Sequence, residues 1–286
     1  MRTFLLTLMN DKNRIQPPDR DRILPPDDER ILMQDKNRIQ PPGKDRRPWR
    51  RLAESALEQI FPRRCPVCGE IVMPRGDKIC PSCRDAFHFI TEPVCKICGR
   101  ELYADDQELC HNCGKHRFSF DYGIALMDYN DAAARSLGAV KYKGRREYLD
   151  YYAEETVLRL GKHLQEMQID AFVPIPVHPA RKRRRGYNQA AVLADRLGEA
   201  LGIPVLEGAL KRRKNTKALK ELSAAERLKN LMDAFYPGDI PGNLKSVCIV
   251  DDIFTTGSTM EACSRILKRA GVEHVVCFSL CIRSDY

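Results

Sequence analysis

The sequence predicts an α/β fold with a mainly parallel sheet, preceded by a small cysteine-rich region and a repetitive N-terminal extension. Three observations predict this organisation. Apolar, strand-like runs alternate with helical stretches from Phe118 onward, eight of the twelve cysteines fall within residues 63–117, and residues 11–42 repeat with a period of eight. Such an alternation of strands and helices favours a parallel sheet that is covered by helices.

Composition limits the class of protein. The 286 residues give room for one large domain or two modest ones. The formal net charge of +9 favours anionic partners such as phosphates, nucleic acid or an acidic membrane surface, without choosing among them. No run of eighteen apolar residues occurs, so we expect no membrane span, and the first ten residues lack the features of a signal peptide. We expect a cytoplasmic protein, whose many cysteines indicate metal before disulfides.

The N-terminal part consists of octads. Residues 11–42 form four of them, each with Arg in the fourth position and Ile in the fifth, and most contain paired prolines. Prolines block a continuous helix, and so few apolar groups leave little to bury. We therefore expect residues 1–46 to be a disordered extension, with a docking arm as the alternative. The apolar spacing within residues 47–62 predicts a packing helix.

Eight cysteines form two quartets with identical spacing, a Cys-x2-Cys pair followed after eleven residues by another. The quartets are Cys65, Cys68, Cys80, Cys83 and Cys95, Cys98, Cys110, Cys113. Gly69 and Gly99 follow the second cysteine of each quartet, where a tight turn is needed. Four thiolates at this spacing suit tetrahedral Zn²⁺, so we predict two structural zinc ions, one per quartet.

Alternatives remain open for this region, which we place at residues 63–117. Free thiols or an iron–sulfur cluster would also use cysteine quartets. A catalytic zinc is disfavoured because four cysteines close the coordination shell. A structural clip for a segment too small to bury its own core is favoured over direct nucleic-acid recognition.

The remainder of the chain, residues 118–286, carries the α/β alternation. The predicted strands are Tyr122–Met127, Ala171–Ile175, Val247–Val250 and Val275–Ile282. The predicted helices are Asp131–Lys141, Glu147–Met167, Asn188–Leu201, Ser223–Phe235 and Ser258–Ala270. Four further cysteines occupy apolar positions in these elements and are expected in the core: Cys248, Cys263, Cys277 and Cys281.

One strand is followed by groups that suit a sugar phosphate. Asp251 and Asp252 follow the strand Val247–Val250, and a turn rich in hydroxyls and glycine leads into an amphipathic helix. The turn comprises Thr255, Thr256, Gly257, Ser258 and Thr259. Ligands of parallel sheets bind at the carboxyl ends of strands, and a helix N-terminus offers free N–H groups to a phosphate. Adjacent acids suit a vicinal diol, directly or through Mg²⁺. The alternative is an acidic turn that merely caps the helix.

The run from Val247 to Thr259 resembles the signature of type I phosphoribosyltransferases, and residues 63–286 resemble the ComF/GntX family of competence-related proteins. The motifs that carry the resemblance are Tyr129-Asn130-Asp131, Lys141–Arg145, Val173–His178, Arg185–Ala190 and Ala225–Asn230. The resemblance implies a phosphoribosyltransferase-like α/β domain preceded by a zinc ribbon. It also implies that Asp251 and Asp252 meet the ribose hydroxyls of phosphoribosyl pyrophosphate.

Further roles are implied by the same resemblance. The turn 255–259 would hold the 5′-phosphate, and the segment 174–181, with Pro176, His178 and Arg181, would form the pyrophosphate-side loop. Residues 211–230 would form a mobile hood, in which this chain has Ala218-Leu219 where relatives tend to have Pro-Gln.

Two basic stretches extend the positive surface. Residues 181–185 carry five consecutive cations, and residues 211–220 carry six more. The candidates for contact with pyrophosphate or a nucleic-acid backbone are Lys141, Arg183, Arg184, Arg185, Lys211, Arg212, Arg213 and Lys214, and Tyr187 is a candidate for base stacking. The alternative is a solvated charged face.

Three functions compete. The family resemblance implies a protein that binds phosphoribosyl pyrophosphate or a nucleotide and handles single-stranded DNA during DNA uptake, with DNA-uptake proteins as possible partners. The first alternative is an active phosphoribosyltransferase that uses phosphoribosyl pyrophosphate and Mg²⁺. The second is a zinc-dependent assembly module that only senses ligand. The first function is favoured because the cationic surface exceeds what one pyrophosphate needs.

Overall fold

The computed structural model describes residues 62–104, 106–213 and 224–284. The predicted extension 1–46, all but the last residue of the predicted helix 47–62, and Lys214 lie outside the described residues, as does part of the predicted hood.

The described strands form one parallel sheet and one short hairpin-like pair. They are β1 (Tyr122–Asp128), β2 (Ala171–Pro174), β3 (Leu210–Arg212), β4 (Phe235–Pro237), β5 (Ser246–Phe254) and β6 (His274–Ile282). The main sheet has the order β1-β6-β5-β2, and all its neighbours are parallel. The antiparallel pair β3–β4, which the sequence did not predict, is separate. The predicted parallel sheet is confirmed, and its strands are almost continuously apolar because helices cover both faces.

The described helices are α1 (His111–Lys115), α2 (Asp131–Tyr142), α3 (Tyr148–Glu166), α4 (Pro179–Arg185), α5 (Gln189–Leu201), α6 (Ala224–Met232) and α7 (Ser258–Arg269), with a 3₁₀ turn at Pro81–Ala86. Four of the five predicted helices agree with α2, α3, α5 and α7 to within one residue at each end. The fifth prediction ran too far, because α6 ends at Met232 and Phe235 belongs to β4.

Helix α4 was not predicted, although its signals are local. The Nδ1 atom of His178 accepts a hydrogen bond of 3.2 Å from the backbone N–H of Ala180, and Pro179 occupies the first helical position. Gly186 ends the helix in the left-handed region at φ 86°. The basic side chains of the last turn face the negative end of the helix dipole, which stabilises them there. The segment expected as a pyrophosphate-side loop therefore runs into a short basic helix.

The two faces of the sheet belong to two apolar clusters. Alternate residues of β5 illustrate the division: Cys248 and Val250 belong to one cluster, Val247 and Ile249 to the other. Helices α2, α3 and α5 cover the first face, whereas α6, α7 and the β3–β4 pair cover the second. The four further cysteines expected in the core are confirmed as buried.

The cysteine-rich region packs against both clusters. Cys65, Val72 and Phe87 join the first cluster, where the ring centroid of Phe87 lies 5.7 Å from that of Tyr152 on α3. The second quartet joins the other cluster together with residues of α7. Among the described residues, none of the helices combines the length and the apolar character needed to cross a bilayer.

Candidate functional site

Strand β5 extends four residues beyond its predicted end, so both acids lie within it. Asp251 pairs with Ser279 of β6, and Asp252 faces the opposite side of the sheet because side chains alternate along a strand. Asp252 is 5% exposed. Its Oδ2 atom lies 3.0 Å from Lys141 Nζ and accepts a hydrogen bond of 2.8 Å from Gln189 Nε2. Asp252 is therefore already held by two donors.

Asp251 is in a different environment. Its side chain is partly exposed, and Oδ1 accepts a hydrogen bond of 2.8 Å from the backbone N–H of Asp252. Burial and the neighbouring Asp252 raise the pKa of Asp251 to about 7, against the attraction of Lys141 and Arg212. A carboxyl group that titrates near neutrality is typical of functional sites, because small changes in its surroundings switch its charge.

Lys141 is the single lysine of α2 and lies in the last turn of that helix, beside Asp252. Burial alone would lower its pKa, but the attraction of Asp252 and Asp251 outweighs burial and raises it. Lys141 is thus held in its charged form beside the pair. The sequence predicted contact of Lys141 with pyrophosphate or nucleic acid, and in the structure its ammonium group pairs with Asp252.

The 255–259 loop connects β5 to α7. Gly257 adopts φ 79°, and a Cβ atom there would lie 2.7 Å from the Phe254 ring and 2.9 Å from the Phe118 ring. Glycine is therefore required on two grounds, its conformation and the space available. Thr255 and Thr256 are exposed, and the hydroxyls of Thr256 and Ser258 lie 2.9 Å apart. The loop presents hydroxyls beside the N-terminus of α7, which is suited to an anion.

Two arginines approach the acids from other segments. Arg212 on β3 is half-buried, and its guanidinium lies 4.8 Å from the centroid of the Phe235 ring. Burial and the nearby charge of Arg181 lower the pKa of Arg212, whereas Asp251 and Cys263 act in the opposite direction. These interactions place Arg212 in the electrostatic field of Asp251, with Arg181 near Arg212.

The basic run of α4 divides into outward and inward residues. Arg183 and Arg184 are exposed. Arg185 is half-buried, its Nε donates a hydrogen bond of 2.9 Å to the carbonyl of Lys141, and it also donates to Gln189 Oε1. Arg185 therefore fixes α4 against α2 and belongs to the same network as Asp252.

Tyr187, expected as a stacking residue, is also tied to α2. Its hydroxyl donates to the carbonyl of Val140, and its ring packs against the first apolar cluster. Tyr142 at the end of α2 is instead 72% exposed, and the Arg185 guanidinium lies 5.8 Å from the centroid of its ring. Tyr142 and Gln189 lie in motifs of the family resemblance but had no predicted role, and Arg100 had none either, because their contacts join distant segments.

The remaining predicted residues lie around the site. Pro176 and His178 occupy the segment between β2 and α4, where His178 caps the helix. Lys211 Nζ lies 3.5 Å from Asp239 Oδ2, and Arg213 Nε donates a hydrogen bond of 3.2 Å to the carbonyl of Asp233. Asp239 therefore partly balances the charge of Lys211, whereas Arg213 is anchored to a neutral backbone carbonyl.

The eight cysteines form two separate clusters that match the predicted quartets, and within each cluster the sulfurs lie within 4.8 Å of one another. Cys68 Sγ and Cys80 Sγ are 3.9 Å apart, and Cys98 Sγ and Cys110 Sγ are 3.7 Å apart. A tetrahedron with Zn–S bonds of about 2.3 Å has edges of about 3.8 Å. The donor sets thus fit zinc, one ion per cluster. Gly69 and Gly99 adopt φ 80° and 70°, as the predicted tight turns require.

Each cluster contains a thiol that ionises readily. Burial alone would raise the pKa of Cys65, but backbone N–H groups, including those of Cys80 and Cys68, hold it at about 7. Hydrogen bonds from Cys110 and Cys113 lower the pKa of Cys95 well below its ordinary value. Burial and the neighbouring thiols instead raise the pKa of Cys80, and a hydrogen bond with Cys110 raises the pKa of Cys98. Zinc would bind all four cysteines of a cluster as thiolates.

Comparison with known proteins agrees with these features. A model described as a double zinc ribbon domain matches residues 56–114, and one described as a phosphoribosyl transferase domain matches residues 183–285. The fold and the sites define a phosphoribosyltransferase-fold protein with a double zinc ribbon and structural zinc. The chain is similar to competence proteins of the ComF family.

Three curated relatives support this assignment. Competence protein F of Haemophilus influenzae is 34% identical over 46% of this chain and 61% of its own length. Competence protein ComFC of Streptococcus pneumoniae is 31% identical over 54% and 66%. The DNA utilization protein YhgH of Salmonella typhimurium is 29% identical over 55% and 70%. The chain spans less than two thirds of the first two relatives. Among solved structures, a purine phosphoribosyltransferase from Pyrococcus horikoshii is 19% identical, with a TM-score of 0.29 over 47% of this chain and 84% of that chain.

Proposed function

We propose that this protein binds phosphoribosyl pyrophosphate or a nucleotide together with Mg²⁺, and binds single-stranded DNA on an adjoining cationic surface, as a cytoplasmic component of DNA uptake. The observation that carries the proposal is the junction of β5 and α7. There Asp251, the 255–259 loop and the helix N-terminus lie within a few residues of one another.

The chemistry of this junction supports a sugar-phosphate ligand. The loop hydroxyls and the N-terminus of α7 suit the 5′-phosphate. Asp251, with Asp252 next to it in the strand, suits the ribose diol or Mg²⁺, and Asp251 would hold the ion, which would supply positive charge for the ligand. Arg181 and Arg212 would balance the pyrophosphate charge. Pro176 and His178 would line the pyrophosphate side of the site.

The DNA-binding part rests on a separate surface. Arg183 and Arg184 are exposed on α4, which ends against the C-terminal turn of α2. That turn presents the exposed Tyr142 and Lys143. Cations that track phosphates beside an exposed aromatic ring form a typical surface for single-stranded nucleic acid. The relatives named for competence and for DNA utilization are in accord with this role.

Calorimetric titration with phosphoribosyl pyrophosphate, with and without Mg²⁺, tests the ligand site. The parent protein should bind only with Mg²⁺, and Asp251→Asn should abolish this Mg²⁺-dependent binding while keeping the fold. Asp251 is the better single change, because Asp252→Asn would leave the buried Lys141 without its charged partner. Binding by Asp251→Asn as tight as that of the parent would show that the site is elsewhere.

A second assay separates the proposal from an active phosphoribosyltransferase. Fluorescence anisotropy with labelled oligo-dT should show binding at low ionic strength, without strong sequence preference. Incubation with phosphoribosyl pyrophosphate, Mg²⁺ and a panel of nucleobases should release no pyrophosphate above background. Pyrophosphate release without detectable DNA binding would favour the enzyme instead.

A further inference from the structure

The two zinc ribbons contact different parts of the phosphoribosyltransferase-like fold. The first quartet belongs to the apolar cluster covered by α2, α3 and α5. The second belongs to the cluster that contains Phe120, Phe254 and Met260, which surround the 255–259 loop. The two ribbons therefore pack against different elements, and among the described residues the second ribbon makes a hydrogen bond to the 255–259 loop.

A direct bond joins the second ribbon to the loop. Arg100, two residues after Cys98, is 4% exposed, and its NH2 nitrogen donates a hydrogen bond of 3.3 Å to the carbonyl of Thr255. Burial of a guanidinium is costly, and this bond satisfies one of the donors of Arg100. In the first ribbon, residue Glu70 occupies the position that corresponds to Arg100.

The second ribbon is also pressed closely onto β1. The backbone N–H of Gly123 donates a hydrogen bond of 2.7 Å to the carbonyl of Ile97, between the first two cysteines of the second quartet. A Cβ atom on Gly99 would lie 2.4 Å from the carbonyl oxygen of Gly123, and one on Gly123 would lie 2.9 Å from Cys98 Cα. A contact made of two glycine backbones leaves little freedom between knuckle and sheet.

The segment that leaves the second ribbon continues to α7. Ser119 donates two hydrogen bonds to the Glu261 carboxylate, from its backbone N–H at 2.6 Å and from its hydroxyl at 2.9 Å. Lys268 Nζ lies 2.9 Å from Asp121 Oδ2. The Phe118 ring limits the space at Gly257. The loop and the helix behind it are thus held by the second ribbon, through Arg100, and by the segment that follows the ribbon.

We propose that the second zinc cluster is a brace for the ligand site, with Arg100 as a positioning residue that fixes the 255–259 loop in its binding conformation. Zinc closes the knuckle that carries Arg100, so occupancy of this cluster determines how well the loop is ordered. The first cluster has no such role. The effect on ligand affinity rests on the proposed function, whereas the effect on loop order does not.

Hydrogen–deuterium exchange on the zinc-loaded, ligand-free protein tests the brace. Arg100→Leu should speed amide exchange in residues 255–261 by tenfold or more, as the loss of one hydrogen bond from a charged donor implies. Arg64→Leu is the matched control, because Arg64 NH1 donates a bond of 3.0 Å to the carbonyl of Gly69 within the first ribbon. This control should leave the 255–261 peptides unchanged. Zinc content should stay at the parental value in both variants.

Arg100→Lys keeps the charge and the alkyl stem but loses the planar donor fork. If Arg100→Leu does not fold, amide exchange in Arg100→Lys tests the brace instead. Parental exchange in residues 255–261 in each Arg100 variant that folds would overturn the brace. Affinity for phosphoribosyl pyrophosphate, measured next, should fall about tenfold in the Arg100 variants. If the parent protein binds none of this ligand while the Arg100 variants still loosen the loop, the brace stands and the ligand is wrong.

Discussion

Lys141 Nζ lies 3.0 Å from Asp252 Oδ2, and the side chains retain only 19% and 7% of their exposure. Replacing Lys141 by Met would leave Asp252 a buried carboxylate with the Gln189 amide as its remaining side-chain donor. We expect Lys141→Met to lower the free energy of unfolding by about 3–5 kcal/mol. Urea denaturation of the ligand-free protein measures this cost.

The double variant Lys141→Met with Asp252→Asn should recover much of that loss, because no buried charge then remains. A cost below about 1 kcal/mol for Lys141→Met alone would mean that water reaches the pair. An equal loss in the single and double variants would point to packing of the lysine stem instead.

The raised pKa of Asp251 predicts opposite effects of pH on stability and on ligand binding. The pKa of about 7 in the folded protein lies above the ordinary 3.8. Ionisation of Asp251 therefore destabilises the folded state relative to the unfolded state. The contribution to stability is complete below about pH 4 and is lost as the pH rises through about 7. Thermal unfolding of the ligand-free parent and of Asp251→Asn across this range should show the difference.

Ligand binding with Mg²⁺ should instead strengthen as the pH rises, because the cation requires the ionised carboxylate. Below pH 7 the affinity for the ligand should rise by up to tenfold per pH unit. Binding of the ligand with Mg²⁺ should release up to one proton from the protein. Calorimetry in buffers of different ionisation enthalpy counts that proton. If the affinity of Asp251→Asn rises with pH as steeply as that of the parent, the group that titrates belongs to the ligand and not to Asp251.

The two metal clusters should differ in how readily they lose zinc. Cys68 is exposed and Cys80 is half-exposed, whereas all four cysteines of the second quartet are buried. Metal analysis should give about two equivalents, and a chelator with a coloured zinc complex should remove them in two phases. Cys68→Ser should eliminate the fast phase, and Cys98→Ser the slow one. A single phase for both ions would contradict this difference.

Backbone contact to DNA should depend on the two outward arginines of α4. The plot of log affinity against log salt concentration should become less steep in the double variant Arg183→Ala with Arg184→Ala. Its slope should decrease in magnitude by about 1.4, that is about 0.7 for each lost contact. The double variant Lys162→Ala with Arg269→Ala is a control of equal charge, and both of its residues are exposed at the far ends of α3 and α7. An equal decrease of the slope in the control variant would show that net charge, and not contact by these two arginines, causes the effect.

Tyr142 should contribute to DNA affinity by stacking. Tyr142→Ala should weaken oligo-dT binding by about 1–3 kcal/mol, as loss of a stacked base implies, with the salt slope unchanged. Tyr187→Phe should leave DNA affinity at the parental level, because the hydroxyl that it removes is bonded to the carbonyl of Val140. Parental DNA affinity in Tyr142→Ala would argue against an aromatic platform at the end of α2.

The sequence could predict those features that lie within a short stretch of chain. The metal quartets depend on local spacing, and the acids, loop and helix of the candidate site are contiguous from Asp251 onward. Helix α4 was missed because its five cations suggested a charged loop, although His178, Pro179 and Gly186 gave helix start and stop signals. The β3–β4 pair, with three residues in each strand, is too short to give a periodic pattern.

The partners of the acids could not be predicted, because strand order decides them. Lys141 and Gln189 reach Asp252 only once α2 and α5 pack on the same face of the sheet. The contact of Arg100 with Thr255 joins residues separated by 155 positions. Whether a given cation points inward, as Arg185 does, or outward, as Arg184 does, depends on the same packing.

The strand order also has a consequence for biogenesis. β6, the last strand along the sequence, lies between β1 and β5. During synthesis from the N-terminus both cysteine quartets are complete early. Strand β1, in contrast, keeps an unpaired edge until β6 has been synthesised. Unpaired strand edges are prone to aggregate. Loss of β6 would divide the sheet, because β1 would no longer be connected to the β5–β2 pair. Premature termination before His274 should therefore yield aggregated protein with folded metal knuckles.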